Sequence, residues 1–256
     1  MKKYGLIGLS LSHSFSKDYF TEKFRKLGIN CAYDNYEIRE ISGLKTLAIK
    51  DPGLCGLNVT IPYKREAAAL CDTLDHVSKA TGVVNTIAIA RSDKAMRLAG
   101  FNTDAFGFKQ SISSWIRPND RALVLGTGAS SSTVTYVLSA AGVLCRLVSR
   151  HKTSAALGYE DLTAGIIGAH RLIVNTTPAG MFPAVDGFPP IPYDFIRPGH
   201  VLFDLVYNPA ETVFMKKGLA MGAAAINGFA MLIAQAEKAW EIWSMELHDG
   251  LKTIHH

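Results

Sequence analysis

The chain has 256 residues, 48% of them hydrophobic and 19% charged, with a formal net charge of +5. That balance excludes a disordered chain, and the length allows one large core or two smaller ones. No block of like charge appears, so nucleic-acid binding has little support, while a mild positive balance suits an anionic substrate or cofactor.

Lys3 to Gly8 reads as a first strand, and Ser16 to Leu27 as a helix closed by Gly28. A second strand is expected over Ala32 to Ile38, a helix over Glu40 to Ile49, and a third strand over Leu54 to Thr60. Pro62 stops that strand and suits the first turn of a helix running to about Cys71. Val83 to Ala90 and Met96 to Phe101 read as a hairpin joined by the polar turn Arg91 to Lys94. These elements make one α/β lobe with a mostly parallel sheet. Phe106 to Trp115 is expected to be a connecting helix, ending before Pro118.

The second lobe opens on a short apolar run, Ala122 to Leu125, as in a strand buried on both faces. It stops at Gly126-Thr127-Gly128-Ala129-Ser130, and an apolar pattern follows at Val134, Val137, Leu138 and Ala141. That spacing is helical, and Gly142 stands where a terminating glycine belongs. Strand, glycine turn, helix and strand form a nucleotide-binding unit. The glycines let the backbone approach a pyrophosphate, and the helix start offers unpaired N–H groups. The third glycine of the pattern is replaced by Ser131; the flanking strand and helix are what favour dinucleotide binding over a plain tight turn.

Further strands are expected at 143–149, 171–175, 201–206 and about 223–226. The proline-rich stretch from Ala179 to Pro198 replaces a crossover helix with a loop. A last helix runs from Gly228 to about Met245 and is placed back on the first lobe. The lobes are thus 1–103 completed by 228–256, and 104–227. The overall class is α/β, with a substrate lobe and a Rossmann-like nucleotide lobe.

The cysteines Cys31, Cys55, Cys71 and Cys145 are scattered, with no Cys-x-x-Cys pair. That argues against a zinc knuckle and fits free thiols in a reducing compartment. Ser10, Ser12 and His13 break the first apolar run, so a signal peptide is not expected. No stretch is long and apolar enough to span a membrane. The expected location is cytoplasmic. The chain closes on His255-His256, native or left from a tag.

Four constellations fall at strand ends, where α/β proteins place their sites. Ser12 to Ser16 follows the first strand; its hydroxyls can cap a helix or hold a carboxylate. Asn58 to Lys64 flanks a proline turn, where Lys64 reads as a surface lysine or a functional one. Asn85 lies inside an apolar strand and must either stitch the core or read a ligand. Asp104 can cap the helix that follows it or act in catalysis at the junction of the lobes.

Taken together, these motifs resemble the shikimate dehydrogenase family. Gly8 with His13-Ser14-Phe15-Ser16, Asn58 to Lys64, Val84-Asn85-Thr86 and Asn102-Thr103-Asp104 carry the resemblance in the first half. Asn175 to Met181, Asp204-Leu-Val-Tyr207-Asn-Pro209 and Asn227 to Gln235 carry it in the second. Ser10 and Lys17 stand where the family has prolines, Ala129 where it has a glycine, and Ser149 where it has an asparagine.

The resemblance implies reduction of 3-dehydroshikimate to shikimate by NADP(H), without a metal. It implies Lys64 as proton donor and acceptor beside Asp104, chemistry that suits an alkoxide left by hydride transfer. Ser14, Ser16, Thr60, Asn85, Tyr207 and Gln235 are the expected substrate readers. The glycine turn Gly126 to Ser130, with Thr176, Leu205, Gly228 and Met231, is expected to hold the cofactor. The expected partner is a small-molecule substrate, with no membrane or nucleic acid, in a monomer or homodimer. A quinate/shikimate dehydrogenase acting oxidatively, or a dinucleotide sensor without turnover, are the alternatives.

Cofactor choice is read from the residues themselves. An NAD-binding unit places an acid about 20 residues past the glycines, for the ribose hydroxyls. Here that place holds Ser149-Arg150-His151-Lys152. A guanidinium can bind a 2′-phosphate bidentately. NADP(H) is therefore expected, with Ser149, Arg150 and Lys152 at the phosphate.

Overall fold

A computed structural model describes residues 1–11, 14–93 and 95–248. Ser12, His13, Lys94 of the hairpin turn and His255-His256 lie outside the described residues. The chain divides into two compact units, Met1–Thr103 with 236–256, and Asp104–Gln235.

In chain order the first unit holds β1 (Lys2–Gly8), α1 (Phe15–Leu27), β2 (Cys31–Glu37), α2 (Leu44–Lys50) and β3 (Leu54–Val59). Then come α3 (Lys64–Leu70), β4 (Thr73–Leu74), α4 (His76–Thr81), β5 (Thr86–Arg91) and β6 (Met96–Phe101). The sheet order is β2-β1-β3-β5-β6-β4. Strands β2, β1 and β3 are parallel, β4 is parallel to β6, and β5 runs antiparallel to both of its neighbours. The consequence is positional: the C-terminal ends of β1, β3 and β6 and the N-terminal end of β5 all lie at one edge. Asn58 is opposite Thr86, and Thr86 is opposite Phe101.

Several boundaries differ from expectation. The third helix does not start at Pro62. A turn closed by Tyr63 N–H on the Thr60 carbonyl at 3.0 Å precedes it, and helical bonding begins with Ala67 N–H on the Tyr63 carbonyl at 2.8 Å. β5 starts at Thr86; Asn85 just before it already bridges both neighbours, its N–H on the Phe101 carbonyl and its carbonyl accepting from Val59 N–H, while Val84 N–H bonds the Lys64 carbonyl. The short β4 and α4 are too brief to leave a periodic signal.

α5 (Thr103–Ile112) begins earlier than expected and ends before Trp115. Asp104 is therefore inside its first turn and is not its cap. The cap is supplied from outside the helix, by Asn85 Oδ1 accepting from Thr103 N–H at 2.7 Å.

The second unit continues with β7 (Arg121–Leu125), α6 (Ala129–Ala140), β8 (Leu144–Ser149), β9 (Ala156–Gly158) and α7 (Ala164–Ala169). β10 (Leu172–Asn175), β11 (Val201–Asp204), α8 (Val213–Ala220) and β12 (Ala224–Ile226) complete it. All pairings are parallel, in the order β12-β11-β10-β7-β8-β9. Parallel strands must be covered on both faces, and β7, β10 and β11 are accordingly buried almost end to end. Gly142 has φ +78° just beyond α6, and Val143 N–H returns to the Leu138 carbonyl at 2.9 Å. That is the left-handed ending a glycine permits. No α-helix forms between Ala179 and Pro198; a short 3₁₀ turn at Tyr193–Phe195 is its regular structure.

The last helix, α9 (Phe229–His248), is shared between the units. By contact its first turns, up to Gln235, fall with the second unit, whereas the sequence reading joins all of 228–256 to the first. A Cβ on Gly107 would lie 2.5 Å from the Met231 carbonyl and 3.1 Å from Gln235 N. That approach of α5 to α9 keeps 229–235 in the second unit.

The rest of α9 enters the aromatic core of the first. Trp243 stacks on Tyr4 at 4.9 Å between ring centroids, and Phe20 stacks on Tyr33 at 4.6 Å. Trp243 Nε1 donates to the Ile87 carbonyl at 3.0 Å. Gly56 makes room for the indole, since a Cβ there would fall 2.3 Å from Nε1. Each aromatic pair adds roughly 0.5–1.5 kcal/mol beyond area burial. No helix among the described residues is long and apolar enough to cross a membrane.

Candidate active site

The sheet edge of the first unit gathers the four motifs. Ser14 caps α1, its Oγ accepting from Lys17 N–H at 3.4 Å. Burial pushes the Tyr33 phenol well above its usual range. Tyr33 donates to Asn58 Oδ1 at 2.8 Å, and Asn58 Nδ2 donates to Thr86 Oγ1 at 3.1 Å. Thr86 and Thr103 hydroxyls are 3.0 Å apart. Asn85 Nδ2 donates to Thr103 Oγ1 at 2.9 Å. A continuous chain of hydroxyls and amides thus runs from β2 through β3 and β5 to the start of α5.

Asn58, Asn85, Thr86, Thr103 and Asp104 are all buried. Buried polar groups cost free energy unless bonded, so this chain fixes their rotamers. Of the two roles open to Asn85, stitching is the one its bonds to Thr103 display. Lys64 is the first residue of α3, half-buried, with its carbonyl held by Val84 N–H at 2.9 Å. Thr60 is set against Gly8, where a Cβ would come 2.7 Å from Thr60 Cγ2. The strand ends therefore bring Ser16, Thr60, Lys64 and Asn85 to one edge of the first unit. Asn58, Thr86 and Thr103 were not singled out as site residues in the sequence. For Asn58 and Thr86 the signal is an amide or hydroxyl on an otherwise apolar strand; Thr103 opens α5 and has no such signal.

In the second unit the glycine turn joins β7 to α6. Gly126 has φ +114°, a backbone region that disfavours any side chain. Gly128 precedes α6 with no side-chain cap, and a Cβ there meets nothing within 4 Å. Thr127 and Gly128 are exposed, and Ala129 and Ser130 are half-buried. Open space above an uncapped helix start fits a pyrophosphate. Ser131, in place of the third glycine, is buried with its Oγ 2.6 Å from Thr176 Oγ1. Thr176 Oγ1 also donates to the Leu125 carbonyl at 2.6 Å. Its hydroxyl thus ties β7, α6 and the end of β10 together, a use the sequence did not suggest.

Beside it, Asp204 is buried and takes three donors: Asn175 Nδ2 at 2.9 Å, Val206 N–H at 3.0 Å and Thr212 Oγ1 at 2.6 Å. Burial pushes its carboxyl up to about 6, against the pull of those bonds. Leu205 follows directly, and Gly228 packs on the Leu205 carbonyl, where a Cβ would fall 2.2 Å from the oxygen. Tyr207 is half-buried, and burial raises its phenol. Met231 and Gln235 lie one turn apart on α9, both buried, and Gln235 Nε2 donates to the Leu232 carbonyl at 2.9 Å.

At the end of β8, Ser149 Oγ accepts from His151 N–H at 3.3 Å, Arg150 is exposed, and Lys152 pairs with Asp161 at 2.7 Å. A strand end with a hydroxyl and cations and no acid fits a ribose phosphate.

A parallel six-stranded sheet with a glycine turn, joined to an α/β unit with a polar strand edge, defines a two-domain nucleotide-dependent α/β protein. The family model described as the shikimate dehydrogenase substrate binding domain matches residues 6–87. A protein of Methanococcus maripaludis (strain C6) named shikimate dehydrogenase (NADP(+)) is 34% identical, over 95% of this chain and 91% of its own. The solved shikimate dehydrogenase 1 of Peptoclostridium difficile is 36% identical with a TM-score of 0.83, covering 96% of this chain and 92% of that one. A quinate dehydrogenase from Corynebacterium glutamicum, solved in complex with NAD, is 26% identical with a TM-score of 0.82, covering 95% and 94%. The chain belongs to the shikimate dehydrogenase family.

Proposed function

We propose that the protein is an NADP(H)-dependent shikimate dehydrogenase, reducing 3-dehydroshikimate reversibly to shikimate, with Lys64 and Asp104 as its proton-transferring pair. The bound cofactor supplies the hydride to the ring carbonyl carbon. Lys64 gives its proton to the oxygen that becomes an alkoxide, and takes it back in the oxidative direction. Asp104 keeps Lys64 oriented. Ser14 and Ser16 hold the substrate carboxylate, and Thr60, Asn85, Tyr207 and Gln235 read the ring hydroxyls. Arg150 and Ser149 take the 2′-phosphate, and the Gly126–Ser130 turn takes the pyrophosphate. Thr176 would contact the cofactor, and Leu205, Gly228 and Met231 would lie near its nicotinamide. The substrate lobe is 1–103, completed by the C-terminal helix, and the cofactor lobe is 104–227.

One observation carries this reading: the polar chain that fixes Asn85 and Thr103 at the edge where Thr60 and Lys64 emerge. Such an array suits a hydroxylated ring acid, because a site built to hydrogen-bond hydroxyls rejects analogues that lack them. The quinate dehydrogenase relative supports a second reading, oxidation of quinate with NAD. The purified protein, assayed in both directions with shikimate and quinate and with both cofactors, separates the two. Higher kcat/KM for shikimate with NADP is expected. Preference for quinate with NAD would install the second reading, and cofactor binding without turnover would mark a sensor.

A further inference from the structure

We propose that Asp161 is a specificity-determining residue for the cofactor: it holds Lys152 away from the 2′-phosphate and leaves Arg150 as the primary clamp. The inference rests on the NADP(H) reading above. Strands β8 and β9 are in register with Ser149 opposite Gly158. The end of β8, which carries Arg150 and Lys152, therefore lies beside the turn that carries Asp161.

That carboxylate is fixed on both oxygens. Oδ2 accepts from Gly158 N–H at 2.9 Å, and Oδ1 accepts from Lys152 Nζ at 2.7 Å. The Asp161 side chain is 22% exposed, against 59% for Lys152. An anion bonded through both oxygens thus holds a more exposed cation. The Lys152 ammonium and the Gly158 N–H together hold the Asp161 carboxyl below its ordinary range, and Asp161 raises Lys152. Glu160 also faces Lys152, and Arg146 faces Asp161. Among the described residues Arg150 forms no salt bridge.

A 2′-phosphate arriving at this strand end meets two different cations. Arg150 offers its fork without breaking a bond. Lys152 must first leave Asp161. Exposed ion pairs are weak, so the competition is real and its cost is finite.

The test measures binding without turnover, by calorimetric titration of adenosine 2′-monophosphate and adenosine 5′-monophosphate. Asp161→Asn keeps an oxygen for Gly158 N–H and removes the charge. It is expected to tighten 2′-monophosphate binding about two- to fivefold, the span of an exposed pair. The 5′-monophosphate should not change. Lys152→Ala should weaken 2′-monophosphate binding less than Arg150→Ala does. In the double variant Asp161→Asn/Lys152→Ala the gain should vanish. A gain that persists without Lys152 would make Asp161 a general repulsive charge and overturn the proposal, as would no gain at all. Should the wild type show no preference for the 2′-phosphate, the NADP(H) reading falls and the proposal with it. A wild-type preference with unresponsive variants overturns the proposal alone.

Discussion

Both units gather polar groups at strand ends, yet they secure those ends differently. In the first, the ends are joined by neutral groups: Tyr33, Asn58, Asn85, Thr86 and Thr103. In the second, a buried carboxylate, Asp204, gathers Asn175, Val206 and Thr212. The neutral chain has both donors and acceptors and needs no charge. The carboxylate is acceptor-only when ionised, so it can face three donors at once, but burial opposes its charge. The first arrangement is indifferent to pH in the acid range, and the second is not.

The largest effect tests whether the first edge is chemical as well as structural. Lys64→Ala is expected to lower kcat by ~10²–10⁴ with a much smaller change in substrate binding. Asp104→Asn should be nearly as damaging. The double variant should cost far less than the product of the single losses, because the two act as a unit. Steady-state kinetics of the three variants decide it; near-normal turnover of Lys64→Ala removes that residue from the mechanism.

The second edge should reveal itself through pH. The Asp204 carboxyl is raised from an ordinary value of 3.8 to about 6 in the folded protein. Between those values the folded state binds more protons than the unfolded state, so stability falls as pH rises through the window. The shift amounts to roughly 3 kcal/mol. Tyr193 is the titratable neighbour that faces this carboxyl, and burial keeps its phenol neutral across the window. Other carboxylates act oppositely; Arg171 holds Asp120 below its usual range, which favours higher pH. The signal is therefore a difference curve. Unfolding free energy of the wild type minus that of Asp204→Asn should decline from pH 4 to pH 7, and two parallel curves would rule the account out. Asn85→Ala should instead cost ~1–3 kcal/mol at every pH, from buried partners left unpaired.

These contrasts also mark what the sequence could disclose. The glycine turn and its flanks were legible because apolar runs, glycines and helical spacing are local signals. The strand order of the first unit was less so: the seating of β5 between β3 and β6 rests on backbone bonds from Val59 to Asn85 and from Asn85 to Phe101, which join residues far apart in the chain. The same holds for Asp104. It reads as a cap only until the tertiary bond from Asn85 to Thr103 takes that role. The pair of Lys152 with Asp161 and the tie of Thr176 to Ser131 are likewise products of parallel strand pairing. Residue type announced these groups as polar, and tertiary structure decided whom they bind.

The smallest effect returns to Ser14, whose two possible duties now have different measures. Its Oγ caps α1 through a long bond of 3.4 Å to Lys17 N–H. Loss of an N-cap hydroxyl costs about 1 kcal/mol, and a long bond belongs toward the low end of the range. A hydroxyl that also donates to a substrate carboxylate has its proton free for that purpose, since the cap uses only an oxygen lone pair. The two duties are compatible, and Ser14→Ala should disclose both. The melting temperature should drop by a few degrees, and KM for shikimate should rise several-fold more than that instability explains, while NADP(H) affinity stays unchanged. Ser14→Thr should keep the cap and recover much of the KM. If Ser14→Ala lowers only the melting temperature, the serine is a cap and the carboxylate must be held elsewhere.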